Sequence, residues 1–195
     1  MSRWLERALL AIGIACLGYF GYVSAETVLY QAYENRELDA ILASREPELA
    51  NAAPDTPPEA RRAVANGETV GRLEIPRLKV SAVVKAGVDS RTLRLAVGHI
   101  PGTAFPGETG NVGLAGHRDT FFRRLRDVRS DDEIVLTTPD GVYRYRVDRT
   151  DVVEPSDVWV LDPTEQPTLT LVTCYPFTYV GSAPQRFVVR AAGVL

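Results

Sequence analysis

An unpaired cysteine is the main candidate nucleophile in this chain. The sequence has two cysteines, and because Cys16 lies in an apolar N-terminal segment, Cys174 is left without a disulfide partner. Free cysteine has a pKa of about 8.5, so it needs a nearby histidine or cation to act as a thiolate nucleophile. The alternative is a buried cysteine that serves as a small hydrophobic residue. Alternation along residues 168–173 places Cys174 at the end of a predicted strand, where an exposed nucleophile would fit.

Two histidines compete for the role of the base. His117 follows a glycine-rich predicted strand; Gly116 beside it would let a substrate approach closely, and Asp119 could orient its ring. His99 lies in a predicted loop, where the competing interpretation is a ring bonded to the backbone. Position favours His117 and leaves His99 open.

Arg186 is the third candidate site residue. Alternation along the predicted strand 185–191 puts Arg186 and Arg190 on one face and Phe187 on the other. If this strand pairs with the cysteine strand, the guanidinium of Arg186 could stabilise the oxyanion of an acyl-transfer intermediate, because it stays charged and offers several donors. The alternative is an ordinary surface arginine.

The elements that must position these residues are mostly strands. An Asp140-Gly141 turn between two alternating segments predicts a tight hairpin. Short helices are predicted at 90–97 and at 119–126, the second capped by Asp119 or Thr120. Seven strands, or eight, favour a barrel or a sandwich; they are predicted at 70–75, 80–85, 111–116, 133–138, 142–153, 168–173 and 185–191.

The N-terminal segment predicts a membrane signal. Residues 8–25 are almost entirely apolar and follow Arg3 and Arg7, which indicates a membrane helix with its N-terminus inside. The alternative is a cleaved signal peptide, and both interpretations export the rest of the chain. We therefore predict an anchor at 1–25, a helical stalk followed by a Pro- and Ala-rich linker at 26–65, and a folded domain at 66–195.

Composition narrows the classes of partner. The chain has 195 residues and a formal net charge of −3, and its basic residues are interleaved with acidic ones, so no nucleic-acid partner is predicted. Two histidines and one exported cysteine do not form a ligand cluster at zinc spacing. We expect no metal and no cofactor.

Three segments together resemble a known family. The run Thr170-Leu171-Val172-Thr173-Cys174 resembles the TLxTC signature of the sortases, which are membrane-anchored cysteine transpeptidases. The resemblance includes the Gly-His-Arg-Asp segment at 116–119 and the strand-borne arginine at 186. Residues 175–177 and 181–186 are similar to the class D sortases in particular.

This resemblance implies a fold, a reaction and roles. The implied fold is all-β, an eight-stranded barrel with a few short helices after the membrane helix. Cys174 would be the nucleophile, His117 the general acid and base, and Arg186 the substrate-positioning or oxyanion-stabilising residue; His99 then loses its claim. The enzyme would cleave an LPxT-type sorting signal after threonine through a thioacyl intermediate. It would then transfer the acyl group to an amine of a cell-wall precursor or a pilin-type lysine.

Two other interpretations compete with this one. Another exported cysteine acyltransferase is the first, although an L,D-transpeptidase would be expected to have Ser-His-Gly before its cysteine, where this chain has Val172-Thr173. The second is a membrane-tethered, non-catalytic β-barrel that binds a partner and simply packs Cys174. It predicts no reactivity of the thiol.

Overall fold

Short strands account for most of the folded domain. A computed structural model describes residues 3–51, 64–179 and 181–194. Apart from the long helix α1 (Arg3–Asn51), the described part has one short helix, α2 (Ser90–Leu95), and 3₁₀ turns at Pro76–Leu78, Arg123–Asp127 and Val158–Leu161. Its strands are β1 (Thr69–Ile75), β2 (Val80–Ala86), β3 (Val97–His99), β4 (Asn111–Ala115), β5 (Glu133–Thr138), β6 (Gly141–Val153), β7 (Thr168–Tyr175) and β8 (Gln185–Val194).

The strands close into one barrel, as predicted. Their order around the barrel is β1-β2-β3-β4-β7-β8-β6-β5. Two neighbouring pairs are parallel, β2 with β3 and β4 with β7, and the others are antiparallel. The β4–β7 and β7–β8 pairings place these three strands side by side in the barrel. The candidate site residues lie on these strands or in the segments that follow them.

Large apolar side chains alternate along the strands and fill the barrel. On β7, Leu169 and Leu171 are fully buried. On β6, Tyr145 and Val147 are buried and Arg146 between them is exposed, which confirms the predicted alternation. Because a shift of one residue would turn every one of these side chains to the opposite face, burial fixes the register of the strands.

Three local predictions differ from the structure. The three-residue strand β3 lies where no strand was assigned, and α2 ends at Leu95, two residues earlier than predicted. The side chain of Asp89 caps α2 by accepting hydrogen bonds from the backbone N–H groups of Arg91 and Thr92. No α-helix forms at 119–126; this segment makes turns and then the 3₁₀ turn Arg123–Asp127, anchored by the buried side chain of Leu125.

The anchor and the stalk form one continuous helix. The first part of α1 is long and apolar enough to cross a membrane. The helix runs to Asn51, within the predicted stalk and linker at 26–65, and residues 52–63 of that segment lie outside the described residues. The folded barrel starts at β1, close to the predicted boundary.

One face of the second half of α1 is docked on the barrel domain, and the opposite face is exposed. Gln31 makes two hydrogen bonds to main-chain atoms of the barrel domain. Its Nε2 donates to the carbonyl oxygen of Leu95 at 2.6 Å, and its Oε1 accepts from the N–H of Val83 at 2.9 Å. Val83 lies one residue before the part of β2 that pairs with β3. The glutamine side chain therefore accepts the hydrogen bond that a longer β3 would accept at this position.

An ion pair and a buried leucine add to this docking. Glu34 accepts a hydrogen bond from Lys85 Nζ at 2.9 Å and another from Thr69 Oγ1 at 2.6 Å. Both side chains of the Glu34–Lys85 pair are nearly buried, with 11% and 12% exposed. Leu38, one turn further along α1, is only 1% exposed. These contacts hold one face of α1 against the barrel.

Candidate active site

Cys174 lies near the end of β7, opposite an arginine. The antiparallel β7–β8 ladder pairs Cys174 directly with Arg186. The cysteine is half-buried, and Arg186 is also partly accessible. Directly opposed residues of such a ladder have their Cβ atoms about 5 Å apart, so the guanidinium can reach the region of the thiol. Arg186 Nη1 donates to the carbonyl oxygens of Ala183 and Gln185, at 3.2 and 2.9 Å.

His117 arrives at the same end of the barrel by way of the parallel strand β4. The β4–β7 pairing continues beyond the strand, since the N–H of Gly116 donates to the carbonyl of Val172 at 3.1 Å. The hydroxyl of Thr173 then donates to the carbonyl of Gly116 at 2.7 Å, in a buried position. The residue before His117 is thus tied to the residue before Cys174, and His117 itself is exposed.

Gly116 has a packing reason to be glycine. A Cβ at this position would lie 2.8 Å from the ring of Phe122, which is completely buried. Phe122 also donates its N–H to the carbonyl of His117, at 3.1 Å. The close approach of Phe122 therefore fixes the backbone on which His117 is mounted.

Asp119 does not play the part that its spacing suggested. Its side chain is 74% exposed, and its charged neighbour is Arg118, whose Nε lies 3.5 Å from Asp119 Oδ1. Within the described ranges 3–51, 64–179 and 181–194, no hydrogen bond joins Asp119 to His117. The prediction that Asp119 orients the histidine ring is therefore wrong, as is the prediction that it caps a helix.

His99 occupies a structural position. It is 2% exposed, its Nε2 lies 2.8 Å from the carbonyl oxygen of Ala104, and its ring stacks on Phe105 with centroids 4.2 Å apart. This is the backbone-bonded ring of the competing interpretation. It leaves His117 as the accessible histidine of the described chain.

Arg118 has a clear structural role that its sequence context did not indicate. Arg118 is buried, with 7% of its surface exposed, and its guanidinium donates to three carbonyl oxygens of the loop that follows Cys174. These belong to Pro176 at 2.9 Å, to Tyr179, and to Gly181 at 3.3 Å. A guanidinium suits this task because its donors diverge in one plane. An arginine three residues after a mostly buried, glycine-containing strand was the available signal.

The signature threonines support the framework. Thr170 donates to Asn111 Oδ1 at 2.7 Å, and the amide of Asn111 donates to the carbonyls of Val160 and Asp162 at 3.0 and 3.2 Å. Together with the Thr173–Gly116 bond, these contacts hold β7 against β4. The two hydroxyls are used within the protein, so the signature secures the position of the cysteine.

Aromatic side chains and a cleft surround this end of the barrel. Phe177 packs against Tyr175 and Phe187, with ring centroids 6.0 and 5.2 Å apart. A cleft of about 400 Å³ opens beside Phe177 and is also lined by Thr178, Asp119, Arg123 and Arg126. In the part of the chain that the structure describes, no group of three His, Cys, Asp or Glu side chains could hold a metal ion.

The arrangement of a cysteine, an accessible histidine and an arginine at one end of a closed eight-stranded barrel can be compared with known proteins. The family model described as the sortase domain matches residues 73–194. The chain is a member of the sortase family. Sortases are cysteine transpeptidases, so this sortase is an enzyme of that class. The competing interpretation, a non-catalytic barrel that only binds a partner, is therefore no longer supported.

Relatives place this sortase near class D. It is 30% identical to Sortase D of Bacillus subtilis strain 168 over 194 residues, which is 97% of each chain. Among solved structures, a Sortase D5 transpeptidase of Clostridium perfringens is similar with a TM-score of 0.64 and 27% identity, covering 81% of this chain and 98% of that one. The sortase SrtA of Actinomyces oris is similar with a TM-score of 0.63 and 31% identity, covering 72% and 87%.

Proposed function

We propose that this sortase cleaves an LPxT-type sorting signal after its threonine and transfers the threonine carbonyl to an amine. The proposal rests on one observation above all, the direct pairing of Cys174 with Arg186 across the β7–β8 ladder. The tie between Thr173 and the residue before His117 supports it from the other side. The three groups that acyl transfer requires thus lie on or just after neighbouring strands, at one end of the barrel.

In the first half-reaction, the Cys174 thiolate attacks the backbone carbonyl carbon of the threonine. The carbonyl oxygen becomes an oxyanion, which the guanidinium of Arg186 stabilises through charge and hydrogen bonds. His117, as an imidazolium, gives a proton to the nitrogen of the scissile bond. The C–N bond breaks, the following peptide leaves as a free amine, and the threonine carbonyl remains on sulfur as a thioester.

In the second half-reaction, an amine attacks the thioester carbonyl. His117 now accepts the proton from the incoming nitrogen, and Arg186 again faces the oxyanion. The C–S bond breaks and the thiolate of Cys174 is regenerated with a new amide as product. The acceptor is an amine of a cell-wall precursor or of a pilin-type subunit, and attack by water instead would give hydrolysis. Neither half-reaction needs a metal or a cofactor.

The apolar part of α1 anchors the enzyme in the cell membrane in a single pass, and the barrel faces outward. Its length and composition support a span, and Arg3 and Arg7 at its start favour an N-terminus inside. An outward barrel would meet exported sorting-signal proteins and their acceptors on the same side of the membrane.

Intact-protein mass measurement tests the proposal. The full chain in detergent is incubated with a library of LPxTx peptides, with and without amines. We expect a mass increase on Cys174 equal to the peptide through threonine less one water, and its loss when an amine is added. If Cys174 reacts with a small thiol reagent but with no peptide, the substrate class is wrong. An inert Cys174 in folded protein would contradict the nucleophile itself.

A further inference from the structure

We propose that the cleft beside the active site binds a carboxylate on the amine acceptor, so that the preferred acceptor carries both an amine and a carboxylate. We define the acceptor cleft by Asp119, Arg123, Arg126, Phe177 and Thr178. This inference rests on the proposed transpeptidation and adds to it the chemical class of the acceptor. It follows from the position of the cleft, the charges on its walls and the contacts that hold it open.

The first wall of the acceptor cleft carries two arginines that point the same way. Arg123 and Arg126 lie three residues apart in the 3₁₀ turn Arg123–Asp127, and residues at this spacing are eclipsed in such a turn. The buried side chain of Leu125 holds the turn against the core, and both arginines are exposed. Their guanidinium groups therefore face the cleft from one side.

These two charges are available to a ligand. Within residues 3–51, 64–179 and 181–194, Arg123 forms no ion pair with a carboxylate, and the described ion pair of Arg126 is a loose contact of 3.6 Å between its Nε and exposed Asp127. Guanidinium groups match carboxylates because their planar donors form paired hydrogen bonds. Two of them on one wall indicate an anionic ligand group.

The second wall is held rigidly. It consists of Phe177 and Thr178, and the buried guanidinium of Arg118 bonds the carbonyls of the residues on either side of this pair, Pro176 and Tyr179. Since Arg118 also directly follows His117, one side chain ties the loop after the cysteine to the segment after the histidine. The acceptor cleft is therefore formed before a ligand arrives, which lowers the cost of binding.

The acceptor cleft lies on the amine side of the reaction. The departing and the incoming amine exchange their proton with the same histidine, so both occupy the side of the thioester that His117 faces. Three of its five residues lie two to nine positions after His117, with Asp119 the nearest of them in sequence, and the other two, Phe177 and Thr178, lie three and four positions after Cys174. An ammonium group is attracted to Asp119, and a carboxylate on the same molecule is then left for Arg123 and Arg126.

Paired acceptors test this assignment. Glycine and 6-aminohexanoate are each compared with their carboxamides at equal concentrations of free amine, using the full chain in detergent and an LPxT peptide. We expect the carboxylate form to give a kcat/KM for aminolysis about 10-fold higher, and this preference to fall as salt is raised. The double variant Arg123→Gln/Arg126→Gln should lose the preference and keep the rate of thioester formation. Arg146→Gln removes an exposed arginine on β6 and should change neither.

Three outcomes would overturn the proposal. Equal use of both acceptor forms by the unaltered enzyme is one, and an equal effect of Arg146→Gln is another. The third uses two peptides, one with an acidic and one with a neutral residue after threonine. If the double variant slows thioester formation only for the acidic peptide and leaves the choice of acceptor unchanged, then the cleft binds the departing peptide rather than the acceptor.

A binding measurement separates this inference from the proposed function. Absence of any thioester would contradict the proposed function. In that case, NMR measures the binding of 6-aminohexanoate and of its carboxamide to the full Cys174→Ala chain. Stronger binding of the carboxylate form that is lost in the Arg123→Gln/Arg126→Gln background supports the acceptor cleft. Equal binding of the two forms overturns it, whatever Cys174 does.

Discussion

Cys174 on β7 and Arg186 on β8 are directly opposed residues of one antiparallel ladder. Their relationship is set by the register of the whole ladder, because Leu169 and Leu171 further along β7 are buried in the core and cannot be turned outward cheaply. A guanidinium is thus held opposite the thiol by core packing at a distance. The geometry that we propose for catalysis is therefore set by the barrel as much as by the loops.

The two cysteines provide a matched pair of variants. Cys174→Ala should abolish thioester formation and transfer, because no other described group at this barrel end is a thiol, while Cys16→Ala in the exposed face of α1 should leave both unchanged. Intact mass and product analysis measure both steps. Residual transfer by Cys174→Ala would contradict the assigned nucleophile.

The two histidines should separate activity from stability. His117 is exposed, so His117→Ala should fold normally and lose about 10²- to 10⁴-fold in kcat/KM. His99 is buried and bonded to Ala104, so His99→Ala should lower the free energy of unfolding by about 1–3 kcal/mol and keep the activity of the folded fraction. Denaturant unfolding and peptide cleavage measure the two effects, and a comparable catalytic loss in folded His99→Ala would reverse the assignment.

Arg186→Lys keeps a positive charge opposite Cys174 and removes the planar set of donors. We expect kcat/KM to fall by about 10- to 100-fold, since an ammonium cannot keep its contacts with the loop carbonyls and also face the oxyanion. Arg190→Lys is the matched control, because Arg190 lies on the same strand opposite Thr170, away from the cysteine. Full activity of Arg186→Lys would argue for a surface role only.

Arg118 should matter for the loop after Cys174. Arg118→Met would leave the carbonyls of Pro176, Tyr179 and Gly181 without their charged donor and should lower the free energy of unfolding by about 2–3 kcal/mol. Faster hydrogen exchange at 177–181 is the local readout. Arg118→Lys should restore only part of the effect, and unchanged exchange in Arg118→Met would show that the loop is held by other contacts.

An ion pair far from the site, between exposed Arg77 and buried Asp132, gives a pH-dependent prediction. The hydrogen bonds from Arg77 hold the pKa of Asp132 below its usual value, aided by the N–H of Arg129 at 2.8 Å. A carboxyl whose pKa is lower in the folded state stabilises the fold above its unfolded pKa of about 3.9 and loses this contribution as pH falls through the folded pKa.

Asp132→Asn should therefore cost about 1–2 kcal/mol of unfolding free energy at pH 7 and lose less than the unaltered protein between pH 5 and pH 2. Denaturant unfolding at several pH values measures both quantities. Asp131→Asn is the control, since Asp131 is exposed and its backbone φ of 69° suits asparagine. Parallel pH profiles for Asp132→Asn and the unaltered protein would contradict the prediction.

The strands with strong alternation could be predicted from the sequence, and those without it could not. Residues 143–148 alternate between apolar and polar side chains and bury Tyr145 and Val147, so both the strand and its orientation there follow from the pattern. Strand β3 has three residues, Val97, Gly98 and His99, all of them buried, and this is too short to carry any periodicity. Its pairing with β2 and β4 is decided by the barrel.

The candidate site divides along the same line. Residue type and position indicated Cys174, His117 and Arg186, because reactive groups at strand ends are a local feature. The partners of charged side chains are harder to predict: Asp119 pairs with the adjacent Arg118 rather than with His117, and Arg118 bonds a loop about 60 residues away. Such contacts depend on which loops the fold brings together, and one sequence does not carry that information.

The docking of α1 changes how this enzyme would meet its substrates. If residues 26–65 were a flexible chain, the barrel could move about 35 Å from the end of the membrane segment. In the structure, Gln31 already holds the barrel, six residues or about 9 Å of helix beyond residue 25. With the apolar part of α1 in a bilayer, this docking would keep the barrel at a fixed distance from the membrane surface. If the proposed sorting signal is the substrate, it must be presented at one height above the lipid, and the length of the segment between a substrate's own anchor and its LPxT motif should then affect how well this sortase uses it.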